Sequence, residues 1–79
     1  MKAPTNKLVS FGPDYRVSIL PEQNHRDLFE IGVLYRGKLV SLPGISDPDD
    51  TVTRFRTPQD VQCILKKMHV ITGKLPNTG

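Results

Sequence analysis

The sequence predicts an α+β fold, in which a small antiparallel β-sheet of three to four strands, arranged as a meander, is packed by one C-terminal α-helix. Two apolar runs flank Arg36-Gly37, and residues 15–20 alternate between apolar and polar side chains. Residues 57–73 carry a helix signal at each end and an apolar stripe between them. Alternation is typical of half-buried strands, and a capped stripe is typical of an amphipathic helix.

The first 27 residues predict at least one strand. Leu8, Val9 and Phe11 form either a short first strand or an apolar flap before a turn at 12–14. In the next strand, the apolar side chains at alternating positions face inward; they are Tyr15, Val17 and Ile19. Pro21 is expected to end this strand because proline cannot donate to a ladder. Residues 22–27 are then a polar connection.

Residues 28–42 predict the central hairpin, with Arg36-Gly37 as its two-residue turn. This register places Tyr35 opposite Lys38, Val33 opposite Val40 and Ile31 opposite Leu42. One face then carries the apolar residues that need a cover, namely Phe29, Ile31, Val33, Val40 and Leu42. The other face is mixed and consists of Glu30, Gly32, Leu34, Leu39 and Ser41, with Leu34 and Leu39 meeting across the strands.

After the hairpin, Pro43-Gly44 is expected to break the strand and residues 46–50 to form an acidic loop. Residues 51–56 predict a last short strand at a sheet edge.

The helix is predicted from Thr57 to about Ile71. Threonine suits the N-cap, proline at 58 suits the first helical position, and Asp60 completes a capping box. The predicted buried stripe consists of Val61, Ile64, Leu65, Met68 and Ile71. Gly73 stands where a left-handed C-cap belongs. The stripe is the expected cover for the apolar face of the sheet.

Length and composition indicate one small domain over residues 1–79, with 1–6 and 74–79 flexible. The net charge of +3 favours acidic partners only mildly. We see no signal peptide or membrane span, and the single cysteine excludes an internal disulfide, so we expect a cytoplasmic protein. A domain this small commonly oligomerises, which predicts a homodimer.

No pattern in the chain predicts catalysis, a metal or a cofactor. His25 and His69 stand near no nucleophile motif, and we expect both to be solvated. The cluster Asp47, Asp49 and Asp50 fails the calcium-loop pattern and is ordinary turn chemistry. Phosphate-binding glycine loops are absent. We therefore expect neither an enzyme nor a small-molecule substrate.

Basic residues are the first candidate for function. The candidate nucleic-acid-binding residues lie at the hairpin tip and on the last strand; they are Tyr35, Arg36, Lys38, Arg54 and Arg56. A two-stranded ribbon fits the major groove, and arginines at its tip reach bases or phosphates. The acidic loop between the two segments weakens this interpretation, and basic residues at turns and edges also protect sheets from aggregation.

Apolar side chains outside the predicted core are the second candidate. Cys63 and Val70 fall on the helix face opposite the stripe, and Leu34 and Leu39 lie on the back of the sheet. Each pair is either a seat for a partner or a set of isolated exposed residues. Dimerisation is the commonest reason for an uncovered apolar pair on a sheet.

Residues 75–79 read Leu-Pro-Asn-Thr-Gly and resemble the sorting signal recognised by sortases. The apolar span, basic tail and secretion leader that accompany such signals are not seen, so we do not expect cell-wall anchoring.

These observations predict a small accessory or regulatory binding protein of bacterial or phage type. One hypothesis is nucleic-acid binding through the hairpin tip and last strand, and the sequence supports it nearly as well as the alternative. The alternative is a protein–protein interaction module, such as an inhibitor or adaptor, that uses an apolar sheet or helix surface without catalysis.

Overall fold

The computed structural model describes residues 7–47 and 49–77, except for the side chain of Arg26. The elements within these residues are β1 (Lys7–Phe11), β2 (Tyr15–Glu22), β3 (His25–Tyr35), β4 (Lys38–Val40), β5 (Val52–Arg56), α1 (Pro58–Thr72) and β6 (Pro76–Asn77). The segment 1–6, for which the sequence predicts flexibility, lies outside the described residues, as do residues 78–79.

The described strands form one antiparallel sheet in the order β4-β3-β2-β1-β6, and β5 pairs with β3. An antiparallel sheet packed with one C-terminal helix was predicted and is confirmed, but six strands replace the expected three to four. Residues 7–11 pair along β2 as a strand rather than folding over the sheet as a flap. After the helix, Pro76 and Asn77 pair with Phe11 and Ser10.

The hairpin turn lies where it was predicted, because Arg36 and Gly37 both adopt positive φ, at 51° and 86°. Tyr35 faces Lys38 and Val33 faces Val40 in the observed register. The predicted pairing of Ile31 with Leu42 is wrong: β4 ends at Val40, and Ile31 pairs with Thr53 of β5. Leu42 instead donates its amide to Ser46 Oγ over 3.1 Å and caps the following turn.

The long strand β3 also differs from the prediction at its start. Pro21 does not end β2, which runs to Glu22 past a register shift at Pro21/Glu22. The bulge makes proline tolerable there because the ladder is already irregular. β3 begins at His25, so the connection is the two-residue turn 23–24 rather than the predicted 22–27.

The helix begins and ends as the sequence predicts. Thr57 Oγ1 accepts the Asp60 amide over 3.1 Å, and Asp60 Oδ2 accepts the Thr57 amide over 3.0 Å. Gly73 adopts φ 69° and donates its amide to the His69 carbonyl over 2.8 Å. The prediction that Ile71 belongs to the buried stripe is wrong, because Ile71 is 47% exposed and the last buried residue of the helix is Met68.

The core lies between α1 and one face of the sheet. Its fully buried members are Phe11, Ile31, Met68, Val9, Val17 and Val33. Phe29, Val40 and Leu42 pack at its margin as the predicted apolar face requires. Ile45, which follows the Pro43-Gly44 turn, is also buried, at 8% exposure. The helix therefore covers the face that was predicted to need a cover.

Candidate binding surfaces

The hairpin tip is tied to the neighbouring turn. The Arg36 amide donates to the Asp14 carbonyl over 2.7 Å, and Arg36 Nε donates to Asp14 Oδ1 over 3.2 Å. This side-chain hydrogen bond raises the pKa of Arg36. The guanidinium lies 5.3 Å from the centroid of the Tyr35 ring, which itself lies 4.9 Å from the ring of Tyr15. Arg36 and Tyr35 thus hold two turns together.

Arg54 is held by two carboxylates. Its Nη2 donates to Glu22 Oε1 over 3.0 Å, its Nε donates to Glu22 Oε2 over 3.3 Å, and Glu30 Oε1 lies 3.4 Å from Nε. The Glu22 side chain is 4% exposed and also accepts the Phe55 amide over 3.2 Å. The hydrogen bond from Arg54 lowers the pKa of Glu22. The charge of Arg54 is therefore already paired with carboxylates of the same chain, although its side chain is 57% exposed.

The two basic groups lie at opposite ends of the sheet. Tyr35 ends β3, whereas Arg56 faces Phe29 near the start of that strand. Six residues of strand separate these positions by roughly 20 Å. Arg56 Nε donates to Thr53 Oγ1 over 2.8 Å, and Lys38 is exposed beside the tip. The structure does not bring the five predicted nucleic-acid-binding residues into one patch.

No described helix or strand packs over the sheet face away from α1. We call it the open face; its side chains are Leu8, Ser10, Arg16, Ser18, Leu20, Glu30, Gly32, Leu34, Leu39, Val52 and Arg54. Leu8 and Leu39 are 44% and 48% exposed, and Leu34 is half-buried. A Cβ at Gly32 would lie 2.9 Å from Leu39 Cδ2, so Leu39 packs onto this glycine. Both predicted sheet-back residues belong to this face.

The end of the helix forms a second apolar surface. Val70 is 80% exposed, Leu75 is 75% exposed, and Ile71 adjoins them. Cys63, the other predicted helix residue, is exposed but lines neither of the hollows beside Val70. Val70 groups with Leu75 and Pro76 of the C-terminal segment around one hollow, and Cys63, seven residues earlier on α1, stands outside that hollow.

The histidines are exposed, and each has a neighbour. The ring of His25 lies 5.3 Å edge-on from that of Phe55, and His69 Nδ1 lies 2.8 Å from the Lys74 carbonyl oxygen. Among the described residues, no group of three or more metal-ligating side chains comes together. No helix in the described part of the chain is long and apolar enough to cross a membrane.

Comparison with protein families, curated proteins and solved structures finds no match to this chain.

The sequence analysis did not identify three residues that contribute to these surfaces and ion pairs. Glu22 was assigned to a loop, and it meets Arg54 across 32 residues of chain, for which no local signal exists. Arg16, which the sequence analysis did not select, is an exposed cation on the open face opposite Leu34. Leu75 belongs to a tail that the sequence leaves without structure, and the pairing of Pro76 with Phe11 brings it against the helix end.

Proposed function

We propose that this protein is a non-catalytic protein-interaction module that forms a dimer through its open face. The observation that carries the proposal is the one-sided sheet: α1 covers one face, and the other presents leucines at its surface. Exposed apolar groups that cluster on one face are typical of interaction sites. A sheet that pairs with a second sheet at about 10 Å removes such a face from water.

The distribution of charge on the open face favours a second copy as the occupant. Arg16 lies opposite Leu34, Ser18 opposite Gly32 and Leu20 opposite Glu30. Arg16 and Glu30 are therefore placed symmetrically about the Ser18–Gly32 pair. A two-fold axis through this pair, lying between the sheets, sets each Arg16 against Glu30 of the other copy. Within the described residues, Arg16 has no acidic partner of its own. Glu30 lies 3.4 Å from Arg54 Nε of its own chain, so in this dimer its carboxylate would be shared between Arg54 and Arg16 of the other copy.

The size and shape of the face agree with this arrangement. If Arg16 of one copy lies over Glu30 of the other, ideal strand and residue spacings make the strands of the two sheets cross at about 40°. Aligned sheets in other proteins pack at roughly 30°. Ser18 and Gly32 lie at the axis, and the Leu39 side chain, which packs over Gly32, would face the other copy there. The face has a flat area of roughly 400 Å² per copy, or about 800 Å² for the pair, which is below the roughly 1,200 Å² of standard stable interfaces and predicts a weak, transient dimer.

Sedimentation velocity over a concentration series tests the proposal. The wild type is expected to move from the mass of one chain to twice that mass in the roughly micromolar range. Leu34→Asp and Leu39→Asp are expected to remain monomeric, because each buries a charge in the apolar face. Gln59→Asp introduces the same charge at an exposed helix position and is expected to dimerise normally. A wild type that stays monomeric throughout, or Asp variants that still dimerise, would contradict the proposal.

Nucleic-acid binding through the hairpin tip stays a prediction with less support. Arg36 and Arg54 already have acidic partners, and the tip and the last strand lie apart. Repeating the sedimentation with a mixed-sequence DNA duplex at low and moderate salt checks it. Nucleic-acid binding predicts added mass that is lost as salt rises, and a mass that ignores the duplex excludes it.

A further inference from the structure

We infer that the C-terminal end of α1 is a docking site for an acidic amphipathic helix of another protein. The site, called here the helix-end patch, consists of Leu65, Lys66, Val70, Ile71, Leu75 and Pro76. This inference is independent of the open face, which lies on the other side of the sheet. It assigns a second, heterologous binding surface to the protein.

The patch is built by the helix cap and the last strand together. Gly73 reverses the chain at the end of α1, and Pro76 then pairs with Phe11 of β1. Leu75, between these two fixed points, thereby lines the same hollow as Val70 of the helix. The exposed leucine is consequently positioned by backbone hydrogen bonding on both sides rather than left on a free tail.

Val70 forms a ridge between two hollows. One, of about 430 Å³, is lined by Leu65, Leu75 and Pro76 among others. The second, of about 370 Å³, lies on the side of Ile71 and Pro43. Lys66 lines both hollows. Two apolar seats separated by one side chain suit two anchors on a helix at i and i+3 or i+4, as in helix-in-groove recognition.

The basic side chains around the helix-end patch favour an acidic partner. Residues 61–79 contain Lys66, Lys67, Lys74 and His69 and no acidic residue. No acidic side chain from any other described element lines either hollow. Lys67 is occupied, because its Nζ donates to the Gly44 carbonyl over 2.6 Å, but Lys66 has no partner among the described residues. A partner with carboxylates flanking its apolar anchors complements this rim.

The same observations disfavour the other occupants. A second copy docked by this patch would bring like charges together, which costs affinity. A nucleic acid has no aliphatic side chain to seat in the hollows. An anionic bilayer shares the required charge, but it offers no pair of spaced apolar side chains for the two hollows, and binding to anionic vesicles tests it directly.

Selection from a phage-displayed library of random 16-residue peptides, using the full chain as bait, tests the inference. Enriched peptides are expected to be rich in Asp and Glu and to carry two large apolar residues three or four positions apart. A synthetic copy of the leading peptide is then titrated by fluorescence anisotropy. Val70→Asp is expected to weaken its binding about tenfold or more, as loss of a central anchor does. Lys66→Glu and added salt are expected to weaken it as well.

Gln59→Asp is the matched control and is expected to bind like the wild type. Circular dichroism checks that Val70→Asp remains folded, as the high exposure of Val70 predicts. The inference is overturned if no peptide is enriched, if the enriched peptides are neutral or basic, or if binding survives Val70→Asp. It is equally overturned if vesicles containing anionic lipid, rather than peptides, bind in a Val70-dependent way. Sedimentation mass reports the dimer separately, so failure of either idea leaves the other testable.

Discussion

Substitution of Gly32 separates the stability of the monomer from that of the dimer. The new Cβ of Gly32→Ala would lie 2.9 Å from Leu39 Cδ2. Leu39 is 48% exposed and can rotate away at small cost. Replacing a strand glycine by alanine also gains about 0.5–1 kcal/mol in backbone entropy. The two effects oppose each other, so we expect the free energy of monomer unfolding to change by less than about 1 kcal/mol.

The dimer responds differently because Gly32 lies beside the proposed two-fold axis. In each copy the added methyl group displaces Leu39, which packs over Gly32 and would face the other copy beside the axis. Overpacking of this kind costs about 1–3 kcal/mol, which weakens dimerisation roughly 5- to 150-fold. Gly32→Val adds more volume at the same point and is expected to weaken it further.

Two measurements on the same samples separate the effect of the Gly32 substitutions on the monomer from their effect on the dimer. Urea unfolding below the dimerisation range gives monomer stability, and sedimentation velocity gives the dissociation constant of the dimer. The expected result is a nearly unchanged monomer with a dissociation constant that rises in the order wild type, Ala, Val. A dissociation constant that is the same for all three proteins refutes the proposed axis.

Two further predictions concern the fold that presents these surfaces. Met68 is fully buried under the sheet, so Met68→Ala is expected to lower the free energy of unfolding by about 2–5 kcal/mol. Urea unfolding measures this, with the exposed Gln59→Ala as control; a loss below about 1 kcal/mol would contradict the assigned core. The Glu22–Arg54 pair predicts a pH dependence. Because Arg54 lowers the pKa of Glu22 in the folded protein, the stabilisation is present above the unfolded value of about 4.3 and is lost as the pH falls through the folded pKa. The midpoint temperature of thermal unfolding should therefore fall more steeply between pH 6 and pH 3 for the wild type than for Glu22→Gln. Equal slopes of midpoint against pH would refute the role of the pair.

The parts of the fold that were predicted correctly depend on neighbours in sequence. The capping box joins Thr57 to Asp60 three residues later, and the tight turn needs only Arg36 and Gly37. Helix N-caps and two-residue turns are determined within a few residues, so sequence patterns reveal them. The pairing of Leu34 with Leu39 follows directly from the turn.

The parts that were missed depend on residues far apart in the chain. Leu42 loses its predicted place opposite Ile31 because β5 pairs there, and β5 belongs to a segment more than ten residues later. Arg54 meets Glu22 from 32 positions away. Leu75 becomes part of a surface through the pairing of Pro76 with β1 at the other end of the chain. Composition and periodicity carry no information about such pairings. For this reason the sequence analysis grouped Arg36 and Arg54 as basic residues, whereas in the structure each has its own acidic partner and the two lie far apart.

The distance between the two copies of Cys63 tests the proposed dimer most directly. The chain has a single cysteine, it is exposed, and α1 lies on the side of the sheet away from the open face. Two sheets packed at about 10 Å, each with a helix about 10 Å further out, place the helix axes roughly 30 Å apart. Double electron–electron resonance between nitroxides attached to Cys63 should therefore give a distance of about 30 Å or more. A distance below about 20 Å would mean that the helices form the interface and would contradict the account.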